Sequence, residues 1–449
     1  MTAIPLSRLL SDHGGGDRLV AWNGESVVPF ARFRADVAAN AARLAAAGCK
    51  RATLACGDTY HLAVGLFALL HAGACPMLSA IARPETSDLS PCVVGDGDET
   101  PFRILPSKEA AAGPLQPLDP RRTLIDFFTS GSTGEPKRVT KPLLMLEREI
   151  AVLDELWGFG QEGVPVLATV PHHHVYGLTF KVLWPLSAGH PFARRTHGLW
   201  EEVAAELPAG AVLVTGPSHL GRISGLPELP MERRPRMVLS AGAPLTAAAA
   251  REAASVLGIA VTEIFGSSET GVIANRRCDG EERPWRPFPG VVLEIASGGT
   301  VRVRSPFLAE DGWYETGDVA RPTPDGFRLL GRADRVVKVE GKRVSLPEVE
   351  RQLGSLPQVA AAAVVALPGE PAVLGAAVLL TEEGRAELAS LGPFRFGRVL
   401  RRALSASGEP TAMPRRWRFP NALPVDAMGK RRDGDVGALF GPGMEAQRS

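Results

Sequence analysis

Phe128-Thr-Ser-Gly-Ser-Thr-Gly-Glu-Pro-Lys137 is the stretch on which the reading of this chain turns. It grows out of the apolar run Thr123-Leu-Ile-Asp-Phe-Phe128, which reads as a strand. Glycines, hydroxyl side chains, a proline and a lysine then follow in quick succession. Glycine lets backbone N–H groups turn towards an anion, hydroxyls add donors, and the lysine supplies a compensating charge. That is chemistry for a triphosphate. It is not the G-x-x-x-x-G-K-[ST] loop, because Pro136 stands where the second glycine of that pattern belongs.

Outward from this loop, helix and strand patterns alternate. Pro29 to Ala47 is an alanine-rich helical pattern stopped by Gly48, Thr53 to Cys56 a short strand, and Tyr60 to His71 a second helix. Strands follow at Val166–Val170, Val212–Val214, Met237–Ser240 and Val261–Phe265, with helical segments between them. Short apolar strands spaced by helices predict a largely parallel sheet covered on both faces. From Val291 the strands crowd together (Val291–Ile295, Val301–Arg304, Phe327–Leu330), which predicts a small antiparallel unit. After a boundary at Arg332-Ala333-Asp334 come a helix (Leu346–Leu353), two strands (Ala360–Ala366, Val373–Leu380) and a helix (Phe394–Ser405). The expected fold is α/β: a large N-terminal domain, residues 1–331, of helix-covered and largely parallel sheets with a small antiparallel unit. A hinge at 332–334 leads to a small mobile α+β domain, 335–449, and the residues from Gly437 on read as a loose tail.

Composition narrows the function classes. The 449 residues carry 50 Lys+Arg against 49 Asp+Glu, a balance that points to neither a nucleic-acid nor a membrane-surface partner. Arginines cluster locally around Arg401 and Arg415 and read as solvated faces. Five cysteines (Cys49, Cys56, Cys75, Cys92, Cys278), odd in number and without C-x-x-C spacing, read as reduced thiols, against a zinc site or a disulfide framework. Residues 1–18 lack the apolar region of a signal peptide, and the longest apolar stretch, Leu62 to Ala74, is too short to span a bilayer. The expected location is the cytoplasm, with no stable membrane insertion.

Four further segments accompany the opening loop: Pro171-His-His-His-Val-Tyr-Gly177, Thr262-Glu-Ile-Phe-Gly-Ser-Ser-Glu-Thr-Gly271, Trp313-Tyr-Glu-Thr-Gly-Asp318 with Gly331-Arg-Ala-Asp-Arg-Val-Val-Lys-Val-Glu-Gly-Lys-Arg-Val344, and Leu423-Pro-Val-Asp-Ala-Met-Gly-Lys430. In this order they resemble the adenylate-forming superfamily, which includes acyl-CoA and aryl-CoA synthetases, peptide-synthetase adenylation domains and beetle luciferase. The resemblance covers residues from about 20 to 436.

The resemblance implies roles. Thr129, Ser130, Gly131, Ser132, Thr133, Gly134 and Lys137 match the loop that holds the β- and γ-phosphates of ATP. Glu269 matches the glutamate that helps to bind Mg²⁺, a hard ion that prefers oxygen. Phe265 stands at the aromatic position that packs on adenine, with Gly266 and Ser268 in the same nucleotide-contacting segment; Gly242 and Ala243 line the other side. Asp318 and Arg332 are the implied ribose contacts. His174 corresponds to the residue that gates the acyl site. Lys430 is the implied catalytic lysine, bridging the acyl carboxylate and the α-phosphate where charge accumulates. Asp334 holds the hinge position and Gly341 the path of the thiol arm. Three consecutive histidines, His172 to His174, are poor geometry for one metal ion.

The implied activity is AMP-forming ligation of a small-molecule carboxylic acid to a thiol, either coenzyme A or the phosphopantetheine of an acyl carrier protein, with ATP and Mg²⁺. The setting it implies is a stand-alone enzyme of a lipid or polyketide-like pathway. The large domain is shorter than is usual in this family, with losses before residue 123 and between 277 and 291. Amino-acid-activating relatives carry an aspartate just after the segment equivalent to Pro171–Gly177. Here the residues read His-Val-Tyr-Gly-Leu-Thr-Phe, without an acid to meet a buried ammonium. A plain fatty or aromatic acid is therefore favoured. The alternatives are a free-standing amino-acid adenylation protein and a catalytically degenerate binding protein of the same fold.

Overall fold

Thirteen residues, apolar without a break from Leu62 to Leu70, make a helix buried along nearly all of its length. This is α2 (Thr59–His71), started by Asp58, whose carboxylate accepts from the N–H groups of Tyr60 and His61 at 2.8 and 3.1 Å. Against it lies α1 (Phe30–Ala46), which ends as expected before Gly48, at φ +66°. Phe33 meets Phe67 edge-on between them, with ring centroids 5.9 Å apart. In this computed structural model the described residues are 3–11, 18–24, 26–79, 92–98, 100–109, 113–130, 136–158, 163–281, 283–339, 342–369, 373–405, 413–424 and 433–441.

Two compact units emerge from the packing. The first comprises Met1–Arg283, Pro287–Val292 and Arg304–Gly312; the second comprises Pro284–Arg286, Leu293–Val303 and Trp313–Ser449. The first unit holds strands β1 (Leu19–Asn23), β2 (Ser26–Pro29), β3 (Arg51–Ala55), β4 (Cys75–Ser79), β5 (Val93–Gly95), β6 (Phe102–Arg103), β7 (Leu124–Ser130) and β8 (Pro136–Pro142). It continues with β9 (Val166–Ala168), β10 (Phe192–Ala193), β11 (Val212–Thr215), β12 (Met237–Ser240), β13 (Val261–Ser267) and β14 (Gly271–Cys278). One sheet has the order β6-β5-β3-β4-β7-β8, and another runs β14-β13-β12-β11-β9-β10-β1-β2.

Both sheets are largely parallel, with an antiparallel hairpin at one end of the first and towards both ends of the second. Pairings β3·β4, β3·β5, β4·β7 and β5·β6 are parallel, as are β9·β10, β9·β11, β11·β12, β12·β13 and β1·β10. The hairpins β7/β8, β13/β14 and β1/β2 are antiparallel. The inner strands carry apolar residues on both faces because helices cover both. On one face α3 (Leu143–Trp157) buries Leu146, Ile150 and Leu153; elsewhere α4 (Ala247–Leu257) buries Ala250, Ala253 and Leu257 against Leu213 and Val238. No helix among the described residues is long and apolar enough to cross a membrane.

The short strand β15 (Arg286–Pro287) extends the longer sheet beside β14, and the second unit holds an antiparallel sheet of β16 (Val292–Ile295), β17 (Thr300–Arg304), β18 (Tyr314–Thr323) and β19 (Gly326–Arg332). A hairpin of β20 (Val336–Val339) and β21 (Lys342–Ser345) leads to α5 (Leu346–Gly354). Strands β22 (Val359–Leu367), β23 (Val373–Leu380) and β24 (Arg416–Arg418) form the last sheet, packed by α6 (Glu382–Ser405) and α7 (Asp433–Ala438).

Two sequence expectations need correction here. The tail from Gly437 is not loose at its start: α7 runs to Ala438 and Phe440 is buried against Val365 and Ala377, because its ring closes that small apolar cluster. Residues 442–449 lie outside the described residues. The final helix also starts earlier than Phe394; Gly392, at φ +73°, and Pro393 divide α6 into two helical pieces, and it is the second piece that the sequence pattern predicts.

Candidate functional site

Antiparallel edge hairpins carry the chemistry-bearing loops of the first unit. Residues Gly131, Ser132, Thr133 and Gly134 lie outside the described residues, but their flanks are placed. Thr129 pairs with Lys137 and Ser130 with Pro136 across the β7/β8 hairpin. The pairing brings Lys137 back to the root of the loop, where its ammonium donates to Glu269 Oε1 at 3.1 Å. Glu269 belongs to the turn of β13/β14, on the other sheet. One ion pair therefore joins the turns of two edge hairpins.

Local sequence explains how that turn holds its shape. The ladder slips between Phe265 and Gly266. A Cβ at Gly266 would stand 2.3 Å from the Gly271 carbonyl oxygen, and Gly271 itself has φ +69°. Ser267 and Thr270 clasp each other: the Ser267 N–H donates to Thr270 Oγ1 at 3.1 Å and the Thr270 N–H to Ser267 Oγ at 3.2 Å. Below the turn, the buried Lys141 ammonium donates to the Glu269 carbonyl at 3.4 Å, and Glu149 Oε1 accepts from the Val272 N–H at 3.1 Å. Burial lowers the Lys141 pKa and raises that of Glu149, with the opposite charge pulling each back. For Glu269, burial alone would raise the pKa, but the hydrogen bond and charge of Lys137 carry it below the usual carboxylate value. Its carboxylate is a hard, ionised ligand. Among the described residues no group of three His, Cys, Asp or Glu could hold a metal ion.

The other expected residues of this unit follow the carboxyl ends of neighbouring strands, where open α/β sheets bind ligands. β12 and β13 pair in register at Leu239↔Thr262 and Ser240↔Glu263, so Gly242 and Ala243 leave the sheet beside Phe265. Gly242 has φ +97° and open space where a Cβ would project. Phe265 is half-buried, Gly266 exposed and Ser268 buried. The segment 171–177 leaves β9 on the same edge, where Thr169 Oγ1 meets Thr215 Oγ1 at 2.7 Å.

His174 caps the helical turn Val175–Gly177, its Nδ1 accepting from the Tyr176 N–H at 3.3 Å. His172 does something the sequence reading did not foresee. Its Nε2 donates to the Cys56 carbonyl at 2.8 Å, which fixes the proton on that nitrogen, so Nδ1 accepts from the Thr59 hydroxyl at 2.9 Å. Thr59 in turn accepts from Lys181 Nζ at 2.7 Å. Lys181 is fully buried, and its other donors go to the Arg195 carbonyl at 2.8 Å and to Thr196 Oγ1 at 3.0 Å. Burial lowers its pKa to about 7, with Asp58 opposing, and burial with the Lys181 charge lowers that of His172 to about 4. Lys181 sits in a π-helical stretch, Leu178–Leu183, continued by Trp184–Ala188. The one available signal was a single lysine in the otherwise uncharged run Val175–Leu186.

In the second unit Asp318 on β18 faces Arg332 on β19 as a cross-strand pair. Burial raises the Asp318 pKa and Asp334 adds to this, while Thr316 and Arg332 oppose. Gly317, at φ +74°, lets the strand pass Arg332; a Cβ there would stand 3.2 Å from the guanidinium Nη2. Arg332 itself pairs with Asp334, Nε to Oδ1 at 3.2 Å. Next along the chain, Arg335 forks onto Glu350 at 2.9 and 3.2 Å and also reaches Asp433 at 3.2 Å. The residue after the expected hinge is thus tied to the chain just beyond Lys430. Lys430 and Gly341 themselves lie outside the described residues; the strands that flank Gly341 pair Val339 with Lys342.

Comparison with known proteins agrees with this geometry. Residues 79–304 match the family model of the AMP-binding enzymes. The 4-coumarate–CoA ligase of Rhodobacter capsulatus is 31% identical over 313 residues, which covers 69% of this chain and 75% of that enzyme. Among solved structures, ATP-bound MatB from Rhodopseudomonas palustris has a TM-score of 0.83 at 20% identity, over 98% of this chain and 99% of that one. A malonyl-CoA ligase, solved as a ternary product complex with methylmalonyl-CoA and AMP, has a TM-score of 0.62 at 26% identity, over 94% of this chain and 100% of that one.

Proposed function

We propose, because this chain belongs to the family of AMP-binding enzymes, that Lys137 and Glu269 mark the triphosphate end of its site, and that the acid it activates is a plain acyl or aryl carboxylate. The chain is an ATP-dependent, AMP-forming ligase that joins a carboxylic acid to coenzyme A. In the first half-reaction a carboxylate oxygen attacks the α-phosphorus of ATP and pyrophosphate leaves. In the second a thiolate attacks the acyl carbon and AMP leaves.

The observation that carries the reading is the Lys137–Glu269 pair. It sets a cation at the root of the glycine-rich loop, where phosphate oxygens would lie, beside a carboxylate suited to Mg²⁺. Mg²⁺, when bound, would neutralise charge on the phosphates, and Glu269 would hold it. Thr129 to Lys137 would grip the β- and γ-phosphates. Phe265 and Ala243 would flank adenine, with Gly242, Gly266 and Ser268 beside them, and Asp318 and Arg332 would hold the ribose. Release of Arg332 from Asp334 would accompany that contact. Lys430 would stabilise charge at the α-phosphate only as it develops. Turning of residues 335–449 about 332–334 would then exchange Lys430 for Gly341, with His174 gating the acyl site.

The test measures pyrophosphate exchange and thiol transfer separately, with 4-coumarate, benzoate and medium-chain fatty acids as probes. Lys430→Ala should slow the first step on the order of 10²–10³-fold and spare transfer from pre-formed acyl-adenylate, while Gly341→Leu should do the reverse. Equal losses in both steps would overturn the division of labour. Exchange with any common amino acid above that with plain acids would overturn the choice of substrate.

A further inference from the structure

Several arginines of the second unit have acidic partners: Arg302 pairs with Glu294, Arg335 with Glu350 and Arg351 with Glu348. The second half of α6 is different. Its inner side is fixed by Phe396, Gly397, Leu400 and Leu404. Phe396 lies 5.3 Å from the Phe419 ring, and a Cβ at Gly397 would stand 2.8 Å from Trp417, so the helix sits tightly on β24 in one orientation. The outer side then presents Arg395, Arg398, Arg401 and Arg402, all exposed. Among the described residues none of their guanidinium groups has an ion pair or hydrogen bond. No acidic residue occurs in the chain between Glu387 and Glu409. Phe394, 79% exposed, and Val399 lie among them.

Such a face costs the free protein something. Arg398 and Arg402 are one i,i+4 pair of like charge, and Arg395 and Arg398 are three apart, so they repel along the helix. The chain as a whole is nearly neutral, at +1, so the uncompensated charge is local rather than general. From Arg395 to Arg402 the row spans about 10 Å, close to the width of a single helix. Two apolar side chains are too few to anchor in a bilayer, yet an exposed aromatic ringed by arginines has the composition of an interface centre.

We propose that this face of α6 docks an acidic carrier protein, whose phosphopantetheine thiol accepts the acyl group. The inference rests on the ligase reading and deepens it: with this surface, a protein-borne thiol is an acceptor alongside coenzyme A. Arginine forks pair with carboxylates on the carrier, and Phe394 packs at the centre. In the transfer itself the phosphopantetheine thiolate attacks the acyl carbon, and AMP leaves with the bonding pair.

The experiment uses the full chain, 4-coumarate, and a holo acyl carrier protein of net negative charge beside coenzyme A. The wild type should acylate the carrier, with a KM that climbs as salt rises from about 50 to about 300 mM. Changing Arg395, Arg398, Arg401 and Arg402 together to Gln should raise that KM by about tenfold or more. Pyrophosphate exchange and the KM for coenzyme A should stay within about twofold, since neither needs this face. Lysine at the same four positions should recover most of the carrier KM. An unchanged carrier KM in the glutamine variant, or an equal rise for coenzyme A, overturns the proposal. Transfer to coenzyme A alone also overturns it, as does capture of phosphatidylserine vesicles or RNA in place of the carrier. No exchange in the wild type with any acid overturns the ligase reading and this inference together.

Discussion

Lys181 donates to Thr59 at 2.7 Å across 122 positions of sequence, and through Thr59 it holds His172. The bond ties the helical run after the 171–177 segment to the first turn of α2. Burial leaves the ammonium with a pKa of about 7, against about 10.4 for a free lysine. Between those values the unfolded chain keeps a proton that the folded chain has shed. Stability therefore rises with pH from about 7 to about 10, and below 7 this contribution is flat. In Lys181→Met the rise in Tm between about pH 6 and pH 9 should be smaller than in the wild type. Parallel curves would show that another group titrates there.

Arg335 is the next position with a separable effect. It is only a quarter exposed, and its fork on Glu350 and reach to Asp433 anchor the chain that follows Lys430. Arg335→Gln should lower the unfolding free energy in urea by about 2 kcal/mol, most of it from stranding Glu350. Asp433→Asn should cost far less stability but slow adenylation by about tenfold, because it frees the segment carrying Lys430 without touching Glu350. Normal adenylation in Asp433→Asn would deny Arg335 a positioning role.

Glu269→Gln keeps the shape of the side chain and removes its charge. Pyrophosphate exchange should fall on the order of 10²-fold, with its Mg²⁺ midpoint moved to higher concentration. Lys137→Ala should chiefly raise the KM for ATP, since the phosphates lose a cation. A Mg²⁺ titration of exchange that superimposes on the wild type would exclude Glu269 as the metal carboxylate.

Asp318 and its neighbour Gly317 offer a paired measurement by calorimetry. Asp318→Ala should weaken ATP binding by about 2–4 kcal/mol through loss of charge-assisted hydrogen bonds. Gly317→Ala should cost about 1–2 kcal/mol of stability from its left-handed backbone and disturb Arg332, which its methyl group would press at 3.2 Å. Wild-type affinity in Asp318→Ala would remove it from the ribose site.

Much of this architecture is legible in the chain because its inner strands are buried on both faces. Met237–Ser240 and Val373–Leu380 read at their observed bounds, since an unbroken apolar run leaves little choice. The hairpin of β20 and β21 escapes that reading: Lys338, Lys342 and Arg343 interrupt its apolar residues, and its pairing is settled by partners, not by pattern. Helix α3 hides for a related reason, since Glu149 stands at a buried position where periodicity predicts an apolar side chain. At the site, the motifs name Lys137 and Glu269 separately. Their meeting depends on two hairpins from different sheets, and no spacing along the chain encodes it. Lys141 and Lys181 are hidden further, because each reaches a partner more than a hundred residues away.

The π-helical stretch Leu178–Leu183 makes this part of the molecule sensitive to length in a way that substitution scans do not reveal. A π turn accommodates one more residue than an α turn. Deleting a single residue there would let the stretch between Gly177 and Pro185 regularise into an α turn. Every side chain on one side of the deletion would, however, rotate by about 100° relative to the other. If the deletion falls between Gly177 and Lys181, either the lysine leaves its three oxygens or the histidine segment turns away from the strand it leaves. An insertion or deletion of one codon at this turn therefore shifts a whole set of side chains at once, where a substitution shifts one.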